Sequence, residues 1–145
     1  MDVAGFDHVN LTVRDFEESV AWYRRLFRFE LVEEGVRDGV RWGILRSGGG
    51  RGSAMLCIYE RPDFRGADPE LLGSLRLHGI RHFGLRVDDG ARWRALLERE
   101  RIQTEVARWP HSTSWYLSDP TGHEIEVACW KEGQVEFESD RKEEP

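Results

Sequence analysis

The 145-residue chain holds only two cysteines, two methionines and five prolines, and no apolar run approaches the roughly 20 residues of a bilayer span. The missing apolar run argues against a membrane-spanning helix. The opening MDVAGFDHVNLTV also lacks the basic and apolar regions of a secretory signal, so a cytoplasmic location is expected. Cys57 and Cys129 each sit in an apolar, strand-like run, and two thiols make no disulfide framework, so both read as reduced core residues. A basic surplus is absent too. Against 21 Lys and Arg stand 27 Asp and Glu, a net charge of −6, which is the wrong sign for a phosphate backbone, so neither nucleic acid nor membrane is expected as a partner. Half of that charge is local: residues 131–145 carry three bases and six acids and read as a charged, flexible tail.

What the chain does have is internal repetition. HVNLTVRDFEESVAWYRRL from His8 and HFGLRVDDGARWRALLERE from His82 share the skeleton H-x-x-L-x-V-x-D followed by a helical pattern. His8 pairs with His82, Leu11 with Leu85, Val13 with Val87 and Asp15 with Asp89 at a constant spacing of about half the chain. Each copy opens with period-two alternation: Val9, Leu11 and Val13 point one way, His8, Asn10 and Thr12 the other. Asp15 with Glu18 has capping-box spacing and starts a helix, along which Phe16, Val20, Tyr23 and Phe27 form an apolar stripe. In the second copy Trp93, Leu96 and Leu97 do the same, and of Trp22 and Trp93 one is expected to pack on a sheet and the other to be partly exposed.

Three further strand-like runs follow each helix: FELVEEGV, VRWGILRS and AMLCIYE, then IQTEVAR, SWYLS and HEIEVACW. The order is βαβββ twice. Turn signals separate the runs at Asp38-Gly39, around Gly48 to Gly52, and at Asp119-Pro120-Thr121-Gly122. The expected organisation is a first module over 1–60, a linker over 61–79 with one helical turn in PELLGSL, a second module over 80–130, and the tail.

In the last run Glu124, Glu126, Ala128 and Trp130 share one face while Ile125, Val127 and Cys129 share the other. Glu126 therefore falls on the face that carries His8 and His82 in their own strands. Two imidazoles and one carboxylate on equivalent faces of three strands suit a divalent metal with coordination positions left open for substrate. Glu124 reads as a rim residue near the turn. Glu60 ends the first module's closing strand, either as a solvated end or as a base. His78 with His82 has the spacing of a helical zinc pair but runs into a strand, and the Gly48 to Gly52 run lacks the helix and Lys-Ser/Thr of a phosphate loop.

The segments FDHVNLTVRDFEESVAWYRRLFRFELVEE, IRHFGLRVDD and YLSDPTGHEIEVACW resemble the vicinal oxygen chelate superfamily, which contains glyoxalase I, extradiol dioxygenases, fosfomycin-resistance transferases and bleomycin-resistance proteins. The resemblance spans Phe6 to Trp130. It implies an α+β fold of two tandem βαβββ modules forming a curved, cup-like mixed sheet with helices outside. By position it carries the family's metal ligands onto His8, His82 and Glu126. It implies a divalent cofactor (Fe, Mn, Ni or Zn, not distinguished), a small-molecule substrate with vicinal oxygens, and a homodimer.

The implied activity is that of a glyoxalase- or dioxygenase-like lyase, isomerase or dioxygenase. The alternative is a bleomycin-resistance-type protein that sequesters a small molecule. Glyoxalase I carries a further acidic ligand at a position that aligns here with Leu56, opposite Glu126, which counts against that particular assignment. Glu60, Tyr116 and His111 are candidate catalytic groups. Trp115, Trp130 and Arg86 are candidate substrate contacts, with the choice between Trp115 and Tyr116 resting on strand register.

Overall fold

The computed structural model describes residues 6–48, 54–66, 68, 70 and 79–131. The helical turn expected in the linker falls almost wholly outside these residues, as does the tail beyond Lys131. Among the described residues no helix is long and apolar enough to cross a membrane. The chain divides into two compact units, Met1–Leu77 with Asp119–Gly122, and His78–Ser118 with the remainder.

The first unit runs β1 (His8–Val13), α1 (Phe16–Phe27), β2 (Glu30–Arg37), β3 (Val40–Arg46) and β4 (Met55–Glu60). Its sheet has the order β1-β4-β3-β2, with β1 parallel to β4 and the other pairs antiparallel. Asp38 and Gly39 take positive φ values of 53° and 76°, the two left-handed positions of a tight hairpin between β2 and β3. Asp15 caps α1 as its spacing requires, its Oδ1 accepting from Glu18 N at 2.8 Å.

The helix buries Phe16, Ser19, Trp22, Tyr23 and Leu26, so the predicted stripe is rotated: Val20 and Phe27 are only half-buried. Burial of Trp22 turns the face, because its ring packs edge-on to Tyr23 at 5.0 Å. Opposite lie Leu11, Val13, Leu45, Leu56 and Ile58, the inward half of the strand alternation. Gly43 passes directly beneath Phe16, where a Cβ would come within 2.8 Å of the ring.

The second unit repeats the plan with β5 (His82–Arg86), α2 (Gly90–Glu100), β6 (Glu105–Arg108), β7 (Ser112–Ser118) and β8 (Glu124–Trp130), in the order β5-β8-β7-β6. Asp89 Oδ1 accepts from Arg92 N at 2.9 Å, repeating the cap of α1. Trp93 and Leu97 are buried with Trp115, Leu117, Ile125 and Val127. Both Trp22 and Trp93 are thus core residues, which corrects the expectation that one would be partly exposed. Among the described residues each unit is α+β, a mixed four-stranded sheet with one helix on one face.

Tyr23 is fully buried and donates its phenol to Asp119 Oδ2 at 2.9 Å, inside the first unit. Asp119 Oδ1 in turn accepts from Thr121 N and Gly122 N at 2.9 and 2.8 Å. Burial, then the charge of Asp119, pushes the Tyr23 phenol well above its ordinary range. Removing the hydroxyl leaves a buried carboxylate oxygen short of a donor. Tyr23→Phe is expected to cost about 1–3 kcal/mol, read as a lower urea midpoint with an unchanged slope.

Candidate metal centre

Parallel pairing of β5 with β8 sets His82 opposite Glu124 and Gly84 opposite Glu126. Antiparallel pairing of β8 with β7 sets Tyr116 opposite Glu126 and Ser114 opposite Ala128. Side chains alternate along each strand, so His82, Glu124, Glu126, Ser114 and Tyr116 all stand on the face away from α2. Gly84 carries nothing there, and a Cβ built on it would meet no atom within 4 Å. The strip above Glu126 stays open.

Each nitrogen of the His82 ring faces a carboxylate. Nδ1 lies 3.1 Å from Glu124 Oε1, and Nε2 lies 3.1 Å from Glu126 Oε2. Glu124 also draws the Arg81 guanidinium, at 3.6 Å. Glu126 is held from its other oxygen by the fully buried Ser114, whose Oγ donates to Oε1 at 2.6 Å. The Tyr116 ring stands edge-on to His82, with centroids 5.7 Å apart. Burial first, and then the negative charge of Glu126, push the Tyr116 phenol above its usual range, while the neighbouring Trp109 indole works against the rise.

In the first unit His8 opens β1 opposite Met55, and its Nδ1 lies 2.7 Å from Asp7 Oδ2. Both histidines therefore start the first strand of a module with Nδ1 against a carboxylate. A carboxylate at that nitrogen fixes the ring's tautomer and orientation and leaves Nε2 for a ligand. Two residues on, Asn10 lies opposite Cys57, as Gly84 lies opposite Glu126. The counterpart of Glu126 is thus Cys57, not Leu56, which is 2% exposed on the helix-packed face. Aligning the two closing strands from their preceding glycines, Gly52 and Gly122, puts Leu56 opposite Glu126, and the register differs from that by one residue. Burial, then the charge of Asp7, raises the Cys57 thiol above its ordinary value. Among the described residues no group of three or more His, Cys, Asp or Glu is arranged to hold a metal ion.

The remaining candidates separate by face. Glu60 Oε1 accepts from Phe16 N at 2.9 Å, so this carboxylate serves the first turn of α1 and is neither a free strand end nor a group on the His8 face. Trp115 is 7% exposed and packs on the helix side next to Gly90, which removes it from the His82 face and corrects its reading as a substrate contact there. Tyr116 takes that place. His111 lies in the bend before β7 and engages Lys131 N through its backbone carbonyl at 2.9 Å. Arg86 is exposed on the His82 side of β5, opposite Ala128. Trp130 ends β8 opposite Ser112. Sequence reasoning missed Asp7, Ser114 and Trp109. Asp7 was findable as the acid beside His8, whereas Ser114 and Trp109 depend on the β6-β7-β8 register.

The chain belongs to the glyoxalase/bleomycin resistance protein/dioxygenase superfamily, whose model matches residues 5–127. Solved structures with the same fold include a glyoxylase/bleomycin resistance protein/dioxygenase domain from Frankia sp. EAN1pec. It is 19% identical, covers 92% of this chain and 96% of its own, and has a TM-score of 0.73. Lactoylglutathione lyase from Agrobacterium tumefaciens is similar at 25% identity, 88% and 95% coverage and a TM-score of 0.59. The fosfomycin resistance protein FosX from Listeria monocytogenes, complexed with Mn(II) and a dihydroxypropylphosphonic acid, is similar at 14% identity, 90% and 95% coverage and a TM-score of 0.66. No curated protein matches the chain.

In the metal-free protein the Tyr116 phenol is expected to ionise above the usual value of about 10. Glu126→Gln removes the adjacent negative charge, which lowers the cost of forming phenolate, so the titration moves down. The ring-carbon NMR shift of Tyr116 against pH checks both the position and the sign.

Proposed function

We propose that the protein is a metal-dependent enzyme of its superfamily, acting on a small molecule with two neighbouring oxygens. His8, His82 and Glu126 would hold a divalent ion of the Fe, Mn, Ni or Zn class. The observation that carries the reading is His82, whose Nδ1 is held by Glu124 while Nε2 points at Glu126. A proton or a divalent cation between Nε2 and Glu126 would satisfy both atoms. Nitrogen and carboxylate donors suit such an ion, and Ser114 and Glu124 are the supporting contacts that orient ligands. His8, with Asp7 at its Nδ1, is the third donor by the repeat.

When bound, the metal would supply Lewis-acid polarisation of a substrate oxygen. The chain's own groups have separate tasks. Glu124 and Asp7 keep the imidazoles in one orientation, and Ser114 with Tyr116 holds the Glu126 carboxylate. The Tyr116 hydroxyl, kept protonated by burial and by Glu126, offers a donor at the edge of the site. Arg86 is the cation on the His82 side of β5, suited to an anionic part of a substrate. The reaction is of the lyase, isomerase or dioxygenase type, and the protein would act as a homodimer.

The test is metal binding by chelator-stripped protein reloaded separately with Fe(II), Mn(II), Ni(II) and Zn(II), read by elemental analysis and calorimetry. Stoichiometric binding is expected in the parent chain, and its loss in His82→Ala and in His8→Ala. Glu124→Gln should weaken affinity about 10–100-fold without unfolding the protein. Full metal retention by both histidine variants would overturn the assignment. Turnover across 2-oxoaldehyde hemithioacetals, catechols and fosfomycin then separates the reaction types. Tight binding of an apolar drug with no metal uptake would instead favour a sequestering protein.

A further inference from the structure

On the other side of the second sheet, away from His82 and Glu126, a cavity of about 390 Å³ opens beside the first turn of α2. Its floor is apolar, formed by the buried Trp115 with the half-buried Cys129, and it reaches the end of β8 at Trp130. The rim is cationic, formed by Arg94 from α2, Arg108 from β6 and Lys131 just past β8, and among the described residues no acidic one lines it. This departs from the rest of the helix-packed face, where Leu117, Ile125 and Val127 are fully closed over.

The cause lies in the alternation. Arg108 and Thr113 occupy helix-side positions at the end of the sheet where apolar residues would continue the core, and they lie opposite one another across β6 and β7. Lys131 is anchored, with Nζ donating to Pro110 O at 2.6 Å. Arg94 and Arg108 make no ion pair with any other described residue. Among the described residues both guanidiniums therefore stand over the Trp115 floor without an acidic partner. They carry the planar, bidentate donors that recognise carboxylate, sulfonate or phosphate groups. The first-turn amides of α2, at Gly90 and Ala91, add the positive end of a helix dipole to the same wall. The volume lies within the range of sites for small organic ligands.

We infer that this cavity is a second ligand site, independent of the metal centre, that takes an organic anion with a flat apolar body. The headgroup would sit between Arg94 and Arg108 and the body against Trp115 and Cys129. Trp115, which sequence reasoning assigned to the substrate of the metal site, lines this cavity instead.

The probe is anilinonaphthalene sulfonate, titrated against the full chain, with probe fluorescence and tryptophan quenching as readouts. Saturable one-to-one binding that weakens as salt is raised is expected. The uncharged parent, phenylnaphthylamine, should bind at least tenfold more weakly. Arg94→Gln with Arg108→Gln should weaken the sulfonate at least tenfold while leaving the unfolding midpoint and metal uptake unchanged. His82→Ala should leave sulfonate binding intact. Equal binding of the sulfonate by the double variant, or its loss in His82→Ala, would overturn the inference. A Thr113→Trp variant, placed to fill the cavity, is the second check: it should block the probe, and unaltered binding to a folded Thr113→Trp protein would also overturn it.

Discussion

Parallel pairing of the first and last strand of a module is the constraint on which the rest depends. Those strands are joined through a helix and a hairpin, so their register is set by the whole module and not by any short turn. In the second unit it sets His82 against Glu124 and brings Glu126 within reach of the outer nitrogen of the same ring. A slip of one residue would send Ile125 and Val127 to the open face and both acids into the core beside Trp93. The burial of a few apolar side chains on α2 therefore fixes where the carboxylates stand.

Much of this was legible in the residues. The two histidines recur at one repeat position, the cap residues Asp15 and Asp89 mark both helices, and alternation in HEIEVACW separates Glu126 from the core. What stayed hidden was register between distant strands. Matching the halves by their turn glycines put Leu56 where Cys57 stands, because the residue opposite the first histidine, Met55 or Glu124, comes three positions after Gly52 but two after Gly122. The same limit left Trp115 and Tyr116 interchangeable, since period two says that they oppose each other but not which one faces α2. Glu60 shows a different limit. Its tie to Phe16 N crosses from one strand to the start of a helix 44 residues earlier, a contact that no local pattern announces.

The modules share a plan and have diverged in chemistry on matching positions. Asn10 and Cys57 stand in the first where Gly84 and Glu126 stand in the second, and Met55 stands where Glu124 does. The first module presents an imidazole with one acid, Asp7, and soft or neutral groups across the strand pair, and the second presents an imidazole between two acids. Duplication conserved the backbone requirements, caps and alternation, while the exposed faces were free to differ because neither contributes to the helix-packed core.

The bond from Tyr23 to Asp119 carries a consequence for how the chain reaches its native state. The first unit includes Asp119–Gly122, and the fully buried Tyr23 finds its hydrogen-bond partner 96 residues further along. During synthesis the first βαβββ segment emerges with that phenol lacking its acceptor, and the acceptor exists only after most of the second module has been made. Closing so long a loop is slow relative to local pairing. The N-terminal unit therefore cannot complete its internal hydrogen bonding from its own βαβββ segment and depends on residues 119–122, supplied by the chain after most of the second module.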